Sequence, residues 1–290
     1  MFERILAGTD LSEASERVVG SLGGLSALGT REVVLLHCLN LRDVGTLAPR
    51  LMELIRPSFE KQQQRLEDLG FKVTPKLVSG LPHIEINRQV EEDGCSLIVI
   101  GSHGGTMSTG ILLGGVAGAV IQSAARPVLV LHLRLKDEGD RTVCEEVTCD
   151  PREHVLFTTD FSDNAERAFS YVEEIVRSGG RRATLLHVQD QSRIYGDLEG
   201  KLEEYNRIDL ERLKRMESRL KELGATKIDI QIPYGLPKQE IVRCADQGDY
   251  SLIVMGSHGR GFFGKLFSGS VASYVTRNTT VHTLLIPPLR

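Results

Sequence analysis

Ser251–Gly259 reads SLIVMGSHG, and Ser96–Gly104 reads SLIVIGSHG. Eight of the nine positions agree, so the chain is a duplication. In each copy a short apolar run ends in a glycine, and a second glycine follows three residues later. Nine residues further on stand Gly269-Ser270 in the second copy and Gly114-Gly115 in the first. A glycine-rich loop free of acidic residues, set between a strand and a short apolar helix, reads as a cradle for phosphate. Glycine lets the backbone approach an anion closely. The unpaired N–H groups and the dipole at the start of the helix favour negative charge. Ser270 adds a hydroxyl donor.

Outward from these loops the two halves follow one order. In the first, Arg4–Thr9 reads as a strand closed by Asp10, with Ser12 capping a helix that Gly29 ends. Glu32–Leu39 is an aliphatic run and hence a buried strand. A polar helix is expected over Val44–Leu69, with Pro49 and Pro57 breaking or kinking its beginning and Gly70 stopping it. Lys72–Ser79 alternates and holds Pro75, which suits an edge strand. Pro82 opens the next helix, Ser96–Ile100 is the fourth strand and Pro127–Leu133 the fifth. The second half repeats this with strands at His154–Thr159, Ala183–Val188, Ile228–Pro233, the apolar run before Gly256, and Val281–Ile286. A long charged helix covers Asp197–Leu223. Strands alternating with helices predict α/β architecture: two flavodoxin/Rossmann-like domains, each a five-stranded parallel sheet of order 3-2-1-4-5 with helices on both faces. The domains are placed at 1–134 and 153–290, with a charged linker at 135–152. In that strand order the first and fourth strands flank the switch point, so Asp10 faces Gly101 and Asp160 faces Gly256 across a crevice.

The 290 residues suit two domains, each able to bury its own core. A net charge of −4 argues against a nucleic-acid binder. Gly104–Ala125 is uncharged and long enough for a membrane span, but it holds six glycines, and its copy carries Arg260, Lys265 and Arg277, so neither is read as one. Glu3 and Arg4 interrupt any apolar start, so no secretory leader is expected. The five cysteines, Cys38, Cys95, Cys144, Cys149 and Cys244, include no CxxC pair, which points to reduced thiols in a cytoplasm and to no metal site; Cys144 and Cys149 are near enough in sequence to pair. Gly114–Ala119 loosely imitates a dinucleotide fingerprint but follows the fourth strand rather than the first. His37 and His187, late in buried strands, read as core histidines.

The spacing G-x2-G-x9-G followed by Ser, met at Gly256, Gly259, Gly269 and Ser270, resembles the nucleotide motif of the universal stress protein family, here in a tandem form covering nearly the whole chain. The resemblance implies a cytoplasmic stress-response protein that binds ATP, ADP or AMP, with Mg²⁺ as a companion of ATP, and acts as a nucleotide-dependent sensor or regulator. It places the site in the second half on Thr159, Asp160, Val188, Met255, Gly256, His258, Gly259, Arg260, Gly269, Ser270 and Val271. In the first half the matching residues are Thr9, Asp10, Cys38, Gly101, His103, Gly104, Gly114, Gly115 and Val116. In ATP-binding members the aspartate after the first strand and the residue after the second-strand histidine meet the adenine end; here these are Asp10 and Cys38, and Asp160 and Val188. The first half departs from the motif: Gly115 replaces the hydroxyl residue, and Gly105 and Gly110 stand where the second loop has Arg260 and Lys265, with Thr106, Ser108 and Thr109 as partial compensation. The second site is therefore expected to hold phosphates more strongly. No catalytic residue is assigned, because neither loop carries a carboxylate to hold Mg²⁺ or orient water. A slow ATPase and a nucleotide-independent scaffold stay open as alternatives. The resemblance also implies pseudo-twofold pairing of the halves through their last strands, Val128–Leu131 and Thr283–Ile286, and is compatible with a homodimer.

Overall fold

The computed structural model describes residues 1–40, 48–102, 113–133, 135–138, 141–144, 150–194, 200–259 and 269–289; of 48–49, 135–138 and 141–144 the backbone alone is described. The chain divides into two compact units, Met1–Asp150 and Pro151–Arg290. In the first unit β1 (Arg4–Thr9) lies between β2 (Glu32–Asn40) and β4 (Leu97–Gly101). Outside these run β3 (Lys72–Gly80), on β2, and β5 (Val128–Leu131), on β4, and every pairing is parallel. The order is thus 3-2-1-4-5. Parallel strands covered on both faces demand continuous apolar runs, and Val33–Leu36 and Leu97–Ile100 are buried without interruption. Pro75 sits opposite Leu35 on the outermost strand, where its missing N–H breaks no ladder.

After β6 (Leu135–Glu138) and β7 (Arg141–Cys144), the second unit repeats that order. β8 (Val155–Thr158) lies between β9 (Arg182–Leu186) and β13 (Leu252–Gly256), with β11 (Lys227–Gln231) on β9 and β14 (His282–Ile286) on β13. A two-residue parallel pair, β10 (Gln189–Asp190) with β12 (Tyr234–Gly235), continues the chain beyond β9.

Helices α1 (Glu13–Ser21) and α2 (Ala48–Asp68) pack together in the first unit, as do α3 (Pro82–Glu92) and α4 (Gly115–Ser123). In the second, α5 (Asp163–Arg177) packs on α6 (Leu202–Glu222), and α7 (Pro237–Gln247) on α8 (Ser270–Asn278). Ser12 and Ser162 cap α1 and α5, each accepting a backbone N–H at 3.2 Å.

Two sequence expectations, on Gly29 and on Pro57, are corrected. Gly29, at φ 91°, ends a 3-10 helix, Leu22–Leu28, that follows α1, rather than α1 itself. Within the stretch expected as the linker, β6 and β7 pair antiparallel from Leu135 opposite Cys144 to Glu138 opposite Arg141. Only Gly139 and Asp140 separate those strands in sequence, a spacing that suits a hairpin. Pro57 does not break the second helix; it lies inside α2 on an exposed face. Its lost hydrogen bond is tolerated because Phe59, Gln62 and Leu66, at i, i+3 and i+7, are buried and fasten the following turns. The expected start of that helix at Val44, and the start at Asp197 in the second unit, fall outside the described residues, as do Arg134 and Cys149.

Because Pro57 is exposed and mid-helix, Pro57→Ala should restore one helical hydrogen bond and raise stability by roughly 1–3 kcal/mol, less about 0.5 kcal/mol returned to the unfolded chain. Thermal melting of the full chain checks this; a lower Tm would mean the proline ring is itself required.

Candidate functional site

At the end of β1 and of β8 the chain makes the same turn. Thr9 Oγ1 accepts the Leu11 N–H at 3.0 Å, and Thr159 Oγ1 that of Phe161 at 2.9 Å. Asp10 Oδ1 accepts both the N–H and the hydroxyl of Ser12, at 3.1 and 2.5 Å, and Asp160 Oδ1 those of Ser162, at 3.0 and 2.6 Å. Leu11 and Phe161 are held at φ 63° and 58°, the left-handed region that residues with a Cβ seldom adopt. These paired side-chain bonds hold that conformation and aim both aspartates at the carboxyl end of the sheet.

At the end of β4 and β13 the second element of the site forms. Gly269 N–H donates to the Ser257 carbonyl at 2.6 Å, and Gly114 N–H to that of Ser102 at 2.7 Å. Each bond brings the first turn of a short helix against the end of the fourth strand, so its unpaired amides face the space beside the aspartate. Closeness explains the second unit's glycines. A Cβ on Gly259 would stand 2.8 Å from Asp160 Oδ2, one on Gly256 2.7 Å from Asn164 Nδ2, and one on Gly269 3.2 Å from the Ser257 carbonyl oxygen. Gly115 differs, since a Cβ there meets nothing within 4 Å. His258 Nδ1 lies 2.7 Å from Ser257 Oγ, a contact that shapes the loop.

Thr159, Asp160, Val188, Met255, Gly256, His258, Gly259, Gly269, Ser270 and Val271 line one cleft of about 750 Å³ in the second unit. Thr9, Asp10, Cys38, Gly101, Gly114 and Val116 line one of about 390 Å³ in the first. Gly115 begins α4 without lining the cleft. His103, Gly104 and Arg260 lie outside the described residues, with Gly105, Thr106, Ser108, Thr109, Gly110 and Lys265.

The larger cleft continues along a wall that sequence reasoning missed. His187 is buried, as expected of a core residue, and also lies just past β9 and lines the cleft. Its Nδ1 donates to the Thr159 carbonyl at 2.8 Å, and its Nε2 lies 3.4 Å from Asp209 Oδ2. Asp209, on α6, accepts from Gln189 Nε2 at 2.8 Å and faces Arg212 at 3.3 Å, and the Arg212 guanidinium lies 5.1 Å from the Phe161 ring centre. Arg193 and Asp190 form a further pair on the same wall. In the first unit His37 makes the same bond to the Thr9 carbonyl at 2.9 Å, but its Nε2 is buried with no hydrogen-bond partner among the described residues. Burial lowers its pKa against the opposing pull of the Thr9 carbonyl and Asp10, so His37 stays neutral. Behind Thr9 lies a buried polar trio: Thr9 Oγ1 donates to Gln62 Oε1 at 2.7 Å and sits 3.0 Å from Ser15 Oγ. The second unit has Ala165 and Met216 at those places. A face of one long helix carries no motif, and only its packing against the strand ends brings Asp209 and Gln62 to the site.

Among the described residues no three His, Cys, Asp or Glu side chains gather to hold a metal, no helix is long and apolar enough to cross a membrane, and Cys38, Cys95 and Cys244 are free thiols.

A five-stranded parallel sheet whose switch point pairs an aspartate turn with a glycine loop, built twice, defines a tandem α/β protein with one cleft per repeat. The model of the universal stress protein family matches residues 1–132 and 151–287, and the chain belongs to that family. Universal stress protein MJ0577 of Methanocaldococcus jannaschii is 33% identical over 154 residues, 45% of this chain and 95% of that protein. A universal stress protein of Mycolicibacterium smegmatis is 23% identical over 299 residues, 98% of this chain and 97% of its own. The crystal structure of a universal stress protein from Archaeoglobus fulgidus superposes with a TM-score of 0.75 at 25% identity, covering 99% of both chains.

Burial, with Glu85 second, pushes the Cys38 thiol up to about 11. Alkylation of Cys38 by iodoacetamide should therefore be slow at neutral pH and rise about tenfold per pH unit toward 11. Peptide mass spectrometry reads the rate; rapid modification at pH 7 would show a thiolate held by something other than this environment.

Proposed function

We propose that the chain binds adenine nucleotide (ATP, ADP or AMP) as a cytoplasmic stress-response sensor or regulator, with the second cleft as the stronger site. The observation that carries this reading is the closure of Gly269 onto Ser257. It sets the amides of the first turn of α8 and the Ser270 side chain in one cleft with Asp160 and Val188. Anion donors beside a carboxylate, with Val188 as an apolar wall in the same cleft, suit a ligand that joins an anionic group to a flat heteroaromatic base. Family membership supports the same reading. The first cleft lacks the hydroxyl of Ser270, has about half the volume, and has Asp10 as its one charged lining residue among those described. Mg²⁺ would enter with ATP, held by the nucleotide's own phosphates.

Mass spectrometry of nucleotide released from gently purified protein, followed by calorimetric titration of the full chain, tests the reading. Ser270→Ala should weaken the tighter site by about tenfold, the cost of one charge-assisted hydrogen bond. Gly115→Ser places a hydroxyl in open space at the start of α4 and should tighten the weaker site toward the stronger. No released nucleotide and no heat on titration would overturn the proposal in favour of a nucleotide-independent scaffold.

A further inference from the structure

We infer that Asn164 is a positioning residue that pre-sets the second cradle for phosphate; this rests on the nucleotide reading of that cleft. Asn164 lies in the first turn of α5, and its Nδ2 donates to two carbonyls, His258 at 3.1 Å and Ile286 at 3.2 Å. The flipped amide would set Oδ1 against both acceptors, so the donors define this pose. The Ile286 carbonyl also accepts the Ser257 N–H at 2.8 Å. One side chain thus fastens the middle of the cradle to the end of β14.

The consequence lies in the next peptide. The His258 carbonyl and the Gly259 N–H belong to one planar trans unit and point in opposite directions. Holding that carbonyl on Asn164 fixes the Gly259 N–H on the other side of the peptide. Gly259 N lies on the side of α8: a Cβ on Gly269 would be 3.7 Å from it. The clamp therefore turns a further donor toward the amides of the first turn of α8. Without it, a peptide ending in glycine rotates at little steric cost.

Two observations show that the local structure is subordinated to this clamp. Asn164 Oδ1 is buried with no hydrogen-bond partner among the described residues, a locally unfavourable arrangement of the kind found at functional sites. Any side chain at Gly256 would collide with Asn164 Nδ2, so the first glycine of the cradle is the space the amide occupies. In the first unit the position equivalent to Asn164 is Ala14, by the same offset that relates Asp10 to Asp160, so that position offers no side-chain amide.

A double-mutant cycle on the full chain tests the inference. Asn164→Ala and Gly256→Ala should each weaken ATP at the tighter site by about tenfold, Asn164→Ala changing adenosine affinity less than twofold, and the double variant should lose no more than either single one. Losses that multiply in the double variant, or equal losses for ATP and adenosine in Asn164→Ala, overturn it. Amide exchange at Gly259 in the nucleotide-free chain provides a second readout, expected to accelerate in Asn164→Ala. If the wild type binds no nucleotide, the functional reading fails on its own, and unchanged exchange at Gly259 would still overturn the clamp.

Discussion

One backbone hydrogen bond, Gly269 N–H to the Ser257 carbonyl, makes the end of a strand and the start of a helix into a single surface. The helix could not face the aspartate turn if that bond were open, and the bond needs a residue small enough to lie on a carbonyl. Its twin, Gly114 to Ser102, does the same in the first unit. Everything else in each cleft is arranged around these contacts: the parallel order that sets β1 beside β4 and β8 beside β13, and the two aspartates held by their own turns. The sheet supplies rigidity, since the strands that end there are buried on both faces, and the loops borrow it.

Around this shared frame the units stabilise themselves differently. The first supports Thr9 from behind with Ser15 and Gln62, a satisfied polar cluster. The second has apolar contacts there and places its polar groups in the cleft instead, with Asp209, Gln189 and the two arginines along α6 and the β9 end. Buried polar groups must find partners wherever they lie. Moving them from the core to the wall changes what the cleft presents to a ligand without changing the backbone.

The alternation of apolar runs and helical stretches made the strand order readable, because doubly wound sheets allow few topologies and the glycine loop marks the fourth strand. The aspartates and glycines were readable too, since a motif is a local pattern. What escaped was set by packing across distance. Asp209 and Gln62 each lie on a helix more than twenty residues in sequence from the strand end they meet, and nothing near them distinguishes them from solvated residues. Asn164 stands in the first turn of α5 with no local signal to mark it, and its partners lie 94 and 122 positions away. Pro57 misled in the opposite sense: a local rule was overridden by the buried face formed by Phe59 and Leu66.

The unequal clefts, about 750 and 390 Å³, also bear on how such a chain evolves. In a homodimer of single-repeat subunits every substitution occurs twice, so a change useful in one copy is imposed on the other. Fusing the repeats removes that rule. Ala14 and Asn164, Gln62 and Met216, Gly115 and Ser270 are pairs that differ between the repeats, as a chain that encodes each position once allows. The polypeptide carries its two clefts in fixed one-to-one ratio while leaving each free to answer a different chemistry.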